Sequence, residues 1–579
     1  MPRPLCYAPW INLYINDAVY NCCCFYGLGQ EHMPFPASRD DVLRIFNGRG
    51  FRELRRRLLD GDIAGTACET CLDRQQGFMR DHQESHFSAG TSQLNAVRTC
   101  WESANKGEIE VSHAPVFYSV NTCTDCNLRC VMCYNSKLPE QAIKGSLVPY
   151  EKFIAMLDDV GLENITTVTA VGGETFMTKD SLAIIEHLAA NQHTGVRFST
   201  NTNGTLLHQR HELLEKLDRL FLEFSIEGFG ESYERIRRGA SWERMLANFE
   251  WCAQTARTRP GWELSVNFVI MKTSLPHMAE VVELAKGRAG SMRFTPVMGD
   301  YFEENIFLFP DLLEGMDWRR HFDEAEQAAG KHFPGALRFL HSARRQLERA
   351  VAREKGGEKA GNSIFLSAPD SFEFMLRAIE AAPGERVALV GTRPCLGDFL
   401  SWAVGRTQKR LVLAAPDMPA TGRRYVGLPV VRMDAVADEA DSALLSCQTF
   451  EYRACKDALA ELHPDLHVGV LPYWGEEIYA AINELADRLA GVPLVLYGAG
   501  GTAEVLMEST PFRNLDVTAF ADGNKAKWGG EFLGRPVLEP ARIPEFAEDV
   551  VICSDKYSHR IAQDLDELHG DALRVHRIF

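Results

Sequence analysis

The chain has 579 residues, so at roughly 100–200 residues per domain it is a multi-domain protein. Hydrophobic residues make up 45% and charged residues 24%, globular values that exclude disorder as the dominant state. Lys and Arg number 62 against 79 Asp and Glu, and the net charge of −17 argues against non-specific binding to nucleic acid or to an anionic membrane. No apolar run approaches the ~20 residues of a membrane span. MPRPLCYAPW carries no basic segment followed by an apolar one. The expected location is cytoplasmic, with thiols reduced, so the 16 cysteines do not read as a disulfide framework.

Eleven of those cysteines lie at or before Cys133. Residues 1–75 contain Cys6, an alternating strand, then Asn21-Cys22-Cys23-Cys24, a helical stretch Val42 to Leu59, and Cys68-Glu69-Thr70-Cys71. Cys-x2-Cys places two thiolates on one turn, and Cys6 and Cys22 add two from a hairpin. Four thiolates close either an iron–sulfur or a zinc site. Neighbours on a strand point to opposite faces, so Cys22 is chosen by register, with Cys23 as the alternative. The Arg52 to Arg57 run reads as a solvated helix face. Residues 76–113 read as a connector whose His82, His86 and His113 lack ligand spacing.

Residues 114–320 carry the strongest signal. Val116 to Val120 is a strand-like run, and Cys126-Asn-Leu-Arg-Cys130-Val-Met-Cys133 follows it. Three thiolates on one loop suit three corners of an iron–sulfur cubane and leave one iron open to a small molecule. Zinc is the alternative, with Cys123 as a fourth ligand. Gly172-Gly173-Glu174 follows the strand-like Thr166 to Ala170. Val196 to Ser199 leads into Thr202-Asn203-Gly204. Leu220 to Gly228 contains Ser225 and Glu227, and Arg237 follows in Tyr233 to Gly239. Two further strands are expected at Leu264–Ile270 and Met292–Val297. Strands alternating with helical stretches mean βα units and a parallel sheet.

In that order these motifs resemble the radical S-adenosylmethionine (SAM) superfamily: CxxxCxxC with an aromatic Tyr134 after it, GGE, TNG and Ser-x-Glu-Gly. The resemblance implies a partial (β/α)6 barrel with its chemistry at the C-terminal ends of the strands. It implies a [4Fe–4S] cluster on Cys126, Cys130 and Cys133. It also implies SAM contacts from Gly172, Gly173, Glu174, Thr202, Asn203, Ser225 and Arg237, the last near the SAM carboxylate. A low-potential donor of flavodoxin or ferredoxin type would reduce the cluster. Homolysis of SAM would then give a 5′-deoxyadenosyl radical that abstracts hydrogen from the substrate. No other catalytic residue is assigned. The N-terminal segment resembles the SPASM/twitch auxiliary-cluster domain, with Ala18 in place of a usual glycine and with the domain before the barrel. That implies a second [4Fe–4S] cluster on Cys6, Cys22, Cys68 and Cys71, which binds substrate or accepts an electron.

Residues 321–362 read as a linker helix with a break at Gly356-Gly357. The remainder repeats at an offset of 107. Val387 to Gly391 matches Leu494 to Gly498, Gly427 to Val430 matches Gly534 to Val537, and Ala443 to Ser446 matches Val550 to Cys553. Each copy, 363–470 and 471–579, reads as a short doubly wound α/β unit. The second copy resembles the Rossmann-like nucleotide-binding domain of sugar acyltransferases. Gly498 and Gly500 suit a phosphate at a helix N-terminus, and Asp522 suits a ribose hydroxyl. The first copy lacks both and is expected to be structural, while a docking platform is the alternative for both.

The whole is therefore expected to be an α/β protein: a cysteine-rich domain, a partial barrel and two Rossmann-like units. The repeat favours a carbohydrate or nucleotide-linked small molecule as substrate. A peptide maturase and a non-catalytic iron–sulfur scaffold are the alternatives.

Overall fold

Runs rich in β-branched and aromatic residues become strands in chain order. The structure, a computed structural model, describes residues 4–16, 19–23, 35–63, 68, 91–133, 148–299, 301–354, 369–393, 396–403, 405–416, 424–425, 427–449, 451–554 and 558–578. The chain divides into two units, Met1–Glu358 and Lys359–Phe579.

The first unit contains β1 (Asn12–Asn16), β2 (Val19–Asn21), β3 (Phe117–Cys123), β4 (Arg129–Cys130), β5 (Thr167–Gly172), β6 (Arg197–Thr202), β7 (Leu220–Ser225), β8 (Arg237–Arg238), β9 (Trp262–Ile270) and β10 (Ser291–Pro296). Eight of these form one sheet in the order β10-β9-β7-β6-β5-β3-β1-β2. All neighbours are parallel except β1 and β2. Helices Tyr150–Val160, Lys179–Ala190, Trp242–Thr258 and Met278–Ala285 make the crossovers. Thr178 and Ser241 cap two of them by accepting from Ser181 N and Arg244 N.

The sheet has two unlike faces, because successive side chains alternate. Val168, Phe198, Leu222, Phe224, Val266 and Phe294 are buried on one, where Phe224 packs on Phe249 of the helix Trp242–Thr258. The other carries Thr169, Ser199, Asn201, Glu223, Ser225, Asn267, Arg293 and Thr295. A polar face on a parallel sheet is unusual unless something polar meets it.

Three sequence expectations change. The described residues of 1–75 contribute a strand to the main sheet. β1 joins the main sheet beside β3, with Asn12 opposite Phe117 and Ile15 opposite Val120. The helical stretch Val42 to Leu59 is two helices, Arg39–Phe46 and Arg49–Asp60. Asn47 breaks it: its side chain donates to Val111 O and accepts from Val111 N, both at 2.8 Å. The stretch expected as a linker forms Trp318–His332 and Leu337–Glu354. The second of these buries Leu340, Ala343, Leu347 and Ala350, a period of three and four that marks an amphipathic helix rather than a spacer.

The second unit holds two six-stranded sheets. The first consists of β11 (Arg386–Val390), β12 (Arg410–Ala414), β13 (Arg424–Tyr425), β14 (Leu428–Val431), β15 (Ser442–Leu445) and β16 (His467–Val470). The second consists of β17 (Leu494–Tyr497), β18 (Val517–Ala521), β19 (Glu531–Phe532), β20 (Arg535–Leu538), β21 (Asp549–Ile552) and β22 (Arg574–Arg577). Their orders, β13-β14-β12-β11-β15-β16 and β19-β20-β18-β17-β21-β22, are the same topology twice. In the second copy Leu494, Leu496, Phe520 and Val551 bury with the helices Glu476–Arg488 and Gly501–Ser509. Val495, Ala519, Val550 and Ile552 bury on the other face with Leu565 of Ser558–His569. Helices therefore cover both faces. The copies also pack together: Val505 enters the core of the first, and Arg453 pairs with Glu504 at 2.8 Å.

Candidate metal centre

β3 delivers Cys123 to the C-terminal edge of the sheet, and the thiol loop follows. Cys130 lies on β4, which pairs antiparallel with β8 so that Cys130 faces Arg237. Val131 N donates to Ile236 O at 2.9 Å, and Cys133 N to Cys130 O at 3.1 Å. The loop is thus tied to the backbone after β7.

Gly172 and Gly173 hold the other side. Gly173 N donates to Cys123 O and Glu174 N to Asp125 O, each at 2.8 Å. A Cβ on Gly173 would lie 1.8 Å from Asp125 O, and one on Gly172 2.2 Å from Cys123 O. Gly172 also has φ +138°, where side chains are strained. These glycines are therefore required by the packing of two chain segments, before any ligand is considered.

Glu174 is 1% exposed and ties two turns together. Its Oε1 accepts from Thr202 Oγ1 at 2.8 Å and its Oε2 from Asn203 N at 2.9 Å. Burial pushes its carboxyl up, against the Asn203 amide and the Thr202 hydroxyl. Thr202 Oγ1 in turn accepts from Gly204 N at 3.0 Å. Asn203 Nδ2 donates to Asn127 Oδ1 at 2.9 Å and reaches Cys126 Sγ at 3.8 Å. Asn203 Oδ1 accepts from Thr205, whose Oγ1 accepts from Asn127 Nδ2 at 2.9 Å. One hydrogen-bonded chain therefore runs from Glu174 through Asn203 to Cys126.

Arg237 lies against both Glu227 and the thiol loop. Its side chain forks onto Glu227, with Nε to Oε2 at 2.6 Å, and Nη1 donates to Cys130 Sγ at 3.6 Å. Arg237 is 8% and Glu227 0% exposed. Arg237 thus bridges the buried carboxylate of Glu227 and the loop thiol of Cys130. Ser225 ends β7 half-buried, in register with Asn267. The residues that spacing missed are Asn127 and Tyr233, whose OH donates to Asn203 O at 3.2 Å; Glu227 reads only as part of a motif. Asn127 was visible only as filler between two cysteines.

The donor set fits an iron–sulfur cluster. Burial pushes Cys126 up to about 12, with Glu174, Cys130 and Cys133 adding to it. Burial also raises Cys130, against Arg237. Thiolates at this loop need a bound cationic core. Cys123 is 1% exposed, and its thiol donates to Asp125 O at 3.8 Å. Among the described residues no three Cys, His, Asp or Glu side chains converge on a single ion.

A second thiol group lies in the N-terminal segment. A hydrogen bond with Cys23, burial, and the nearby Cys6 and Cys68 all push Cys22 up. Asn12 Nδ2 holds Cys22 O at 2.6 Å, and Ala8 N donates to Cys6 Sγ at 3.5 Å. Cys71 lies outside the described residues. In the second unit, Gly498 has φ +116° and nothing lies within 4 Å of a Cβ on Gly500. Asp522, expected for a ribose, is taken up by its own loop: it accepts from Ala499 N at 3.0 Å and Asn524 N at 2.8 Å and pairs with Lys527 at 2.7 Å.

Residues 120–285 match the family described as the Radical SAM superfamily. No curated protein matches the chain. Among solved structures, Streptococcus suis SuiB bound to S-adenosylmethionine is 15% identical over 35% of this chain and 45% of its own, with a TM-score of 0.28. Native anSMEcpe with bound AdoMet is 16% identical over 47% of this chain and 70% of its own, with a TM-score of 0.28. The chain spans 45% of the length of that SuiB structure. No helix among the described residues is long and apolar enough to cross a membrane. Residues 120–285 therefore match a Radical SAM superfamily domain, a family that implies a [4Fe–4S] cluster and SAM.

Proposed function

We propose that Cys126, Cys130 and Cys133 hold the [4Fe–4S] cluster and that the enzyme abstracts hydrogen from a carbohydrate or nucleotide-linked small molecule. The observation that carries the reading is the chain Glu174–Asn203–Cys126. It joins the thiol loop, the Gly-Gly-Glu turn and the Thr-Asn-Gly turn at the ends of the adjacent strands β3, β5 and β6. A [4Fe–4S] cluster bound there would supply one-electron reduction of SAM, fed by a low-potential donor of flavodoxin or ferredoxin type. The chain's own residues orient the loop: Arg237 holds Cys130, Asn203 holds Cys126, and Glu174 with Thr202, beside Gly172 and Gly173, frames the space for the methionine end. Asn201, Ser225, Asn267 and Thr295, near the same ends of their strands, offer hydroxyl and amide partners to a polar substrate.

An auxiliary cluster on Cys6, Cys22, Cys68 and Cys71 completes this reading, as a substrate ligand or electron acceptor. The grouping of Cys6, Cys22, Cys23 and Cys68 supports it. In the second repeat, the open space over Gly500 supports a nucleotide or nucleotide-sugar site. Asp522 would there act by shaping the loop.

The test is anaerobic reconstitution with SAM and a strong reductant. We expect about eight iron per chain for two cubanes and formation of 5′-deoxyadenosine. Cys126→Ala should lose about four iron and all 5′-deoxyadenosine. Wild-type protein with full clusters and no 5′-deoxyadenosine would instead mean a scaffold. Deuterium carried into 5′-deoxyadenosine from a labelled nucleotide-sugar would fix the substrate class; deuterium from a peptide would replace it.

A further inference from the structure

A charged pair crosses the polar face of the main sheet. Arg293 of β10 donates from Nη2 to Glu223 Oε2 of β7 at 2.5 Å. These strands flank β9, so the pair bridges it. Ser265 stands opposite Glu223 on β9 and is buried, and its short side chain leaves room for the crossing. Glu223 is 5% exposed. A second pair, Arg197 with Glu263 at 3.2 Å, lies nearer the strand starts, and its carboxylate is open to solvent.

A buried carboxylate is costly unless its oxygens are met. Among the described residues Oε2 has Arg293 and Oε1 accepts nothing. Burial pushes the Glu223 carboxyl up, and Arg293 opposes this. The groups around Oε1 are polar and equally unmet among the described residues. They are the Asn201 side chain, in register with Glu223 on β6, the Ser225 hydroxyl, two residues along β7, and Asn267 Nδ2, in register with Ser225 on β9. Thr295 Oγ1 fixes the Asn267 amide by donating to its Oδ1 at 2.9 Å. Asn201 is exposed, and Ser225 and Asn267 are half-buried, so this part of the face is reachable. Three adjacent strands span about 10 Å, room for one six-membered ring and its substituents. The chain places the face beside the thiol loop. Asn201 is two residues from Asn203, which reaches Cys126, and Ser225 is two from Glu227, whose partner Arg237 touches Cys130.

We propose that Glu223 determines substrate specificity: its Oε1 accepts a hydrogen bond from a ring hydroxyl of the substrate, Asn201, Ser225 and Asn267 bind the neighbouring hydroxyls, and Arg293 positions the carboxylate. This deepens the carbohydrate reading above and rests on it. An ionised carboxylate only accepts hydrogen bonds, so it suits a hydroxyl and repels a phosphate. The charged end of a nucleotide-linked substrate therefore lies away from Glu223, and the hydrogen abstracted comes from the hydroxylated ring.

The test uses the reconstituted full chain with SAM, reductant and perdeuterated probes: glucose, N-acetylglucosamine, their 1-phosphates and UDP forms, and myo-inositol. The readout is deuterium in 5′-deoxyadenosine. With a probe that passes deuterium, we expect Glu223→Gln to lower kcat/KM roughly tenfold or more, chiefly through KM, for the loss of one charge-assisted hydrogen bond. A deoxy form of the probe without the hydroxyl that meets Oε1 should lose a similar factor with the parent enzyme and little more with Glu223→Gln, because both changes remove the same bond. A purely structural role does not produce that coupling. The proposal is overturned if every deoxy form loses the same factor with both proteins, or if kcat/KM is unchanged in Glu223→Gln. Should Glu223→Gln lose iron or melt lower, the double variant Glu223→Gln/Arg293→Gln, which leaves no buried charge unpaired, enters the same cycle with the same two outcomes. A parent enzyme that forms 5′-deoxyadenosine but takes deuterium from none of these probes is a different failure: the carbohydrate reading falls and takes this proposal with it.

Discussion

Arg237 and Arg55 look alike in sequence, each one arginine in a basic run, and the fold gives them opposite surroundings. Arg237 meets the buried carboxylate of Glu227 and a loop thiol. Arg55 meets only carbonyls, an amide and rings. Composition describes both as surface residues, because arginine usually is one. Which face of a turn or helix is covered depends on partners far along the chain, here ten residues away for Glu227 and 46 for Pro9. Thr202 is a similar case. It donates to Glu174 and accepts from Gly204 N inside the protein, at 2% exposure. Thr202→Val keeps the shape and removes both bonds. It should cost about 1–3 kcal/mol, since a buried amide then loses its acceptor. Thr202→Ser should recover most of it. Thermal unfolding of the three proteins in parallel decides this, and equal midpoints would mean that water replaces the hydroxyl.

At the scale of elements, the strand assignments for β3, β5, β6, β7, β9 and β10 were legible because period-two apolar runs were bounded by turns. The two-residue pair β4 and β8 was not. Nothing local marks Arg129–Cys130 or Arg237–Arg238 as strands, and each exists because the other is there. The glycine pair shows the reverse limit. Gly172-Gly173 was recognisable as a motif, but the reason for it is the carbonyl of a segment 48 residues earlier in sequence. Gly173→Ala puts a methyl carbon where Asp125 O stands. The clash should cost about 1–3 kcal/mol in overpacking strain and loosen the thiol loop, so that iron content falls together with stability. A Gly173→Ala protein with full iron and unchanged melting would show that the Asp125 segment can give way.

For the whole molecule, the repeat and the Radical SAM domain fall in different units, with the division at Glu358 and Lys359. Residues 1–358 alone should fold, bind iron at Cys126, Cys130 and Cys133, and form 5′-deoxyadenosine with SAM and reductant. An insoluble or iron-free fragment would show that the units depend on each other. The sequence by itself determined the thiol spacing, the order of the turns after each strand and the 107-residue duplication, because these are local patterns or self-comparisons. The identical strand orders of the two copies follow from that duplication. Only the tertiary structure decided that the N-terminal hairpin extends the main sheet, that Arg237 serves Cys130, that Asp522 braces its own loop and that Arg55 is buried on carbonyls and ring faces. Each of these is a choice of partner. A side chain's partners are set by which distant backbone covers it, and burial then makes an unmet charge or hydrogen bond too costly to leave.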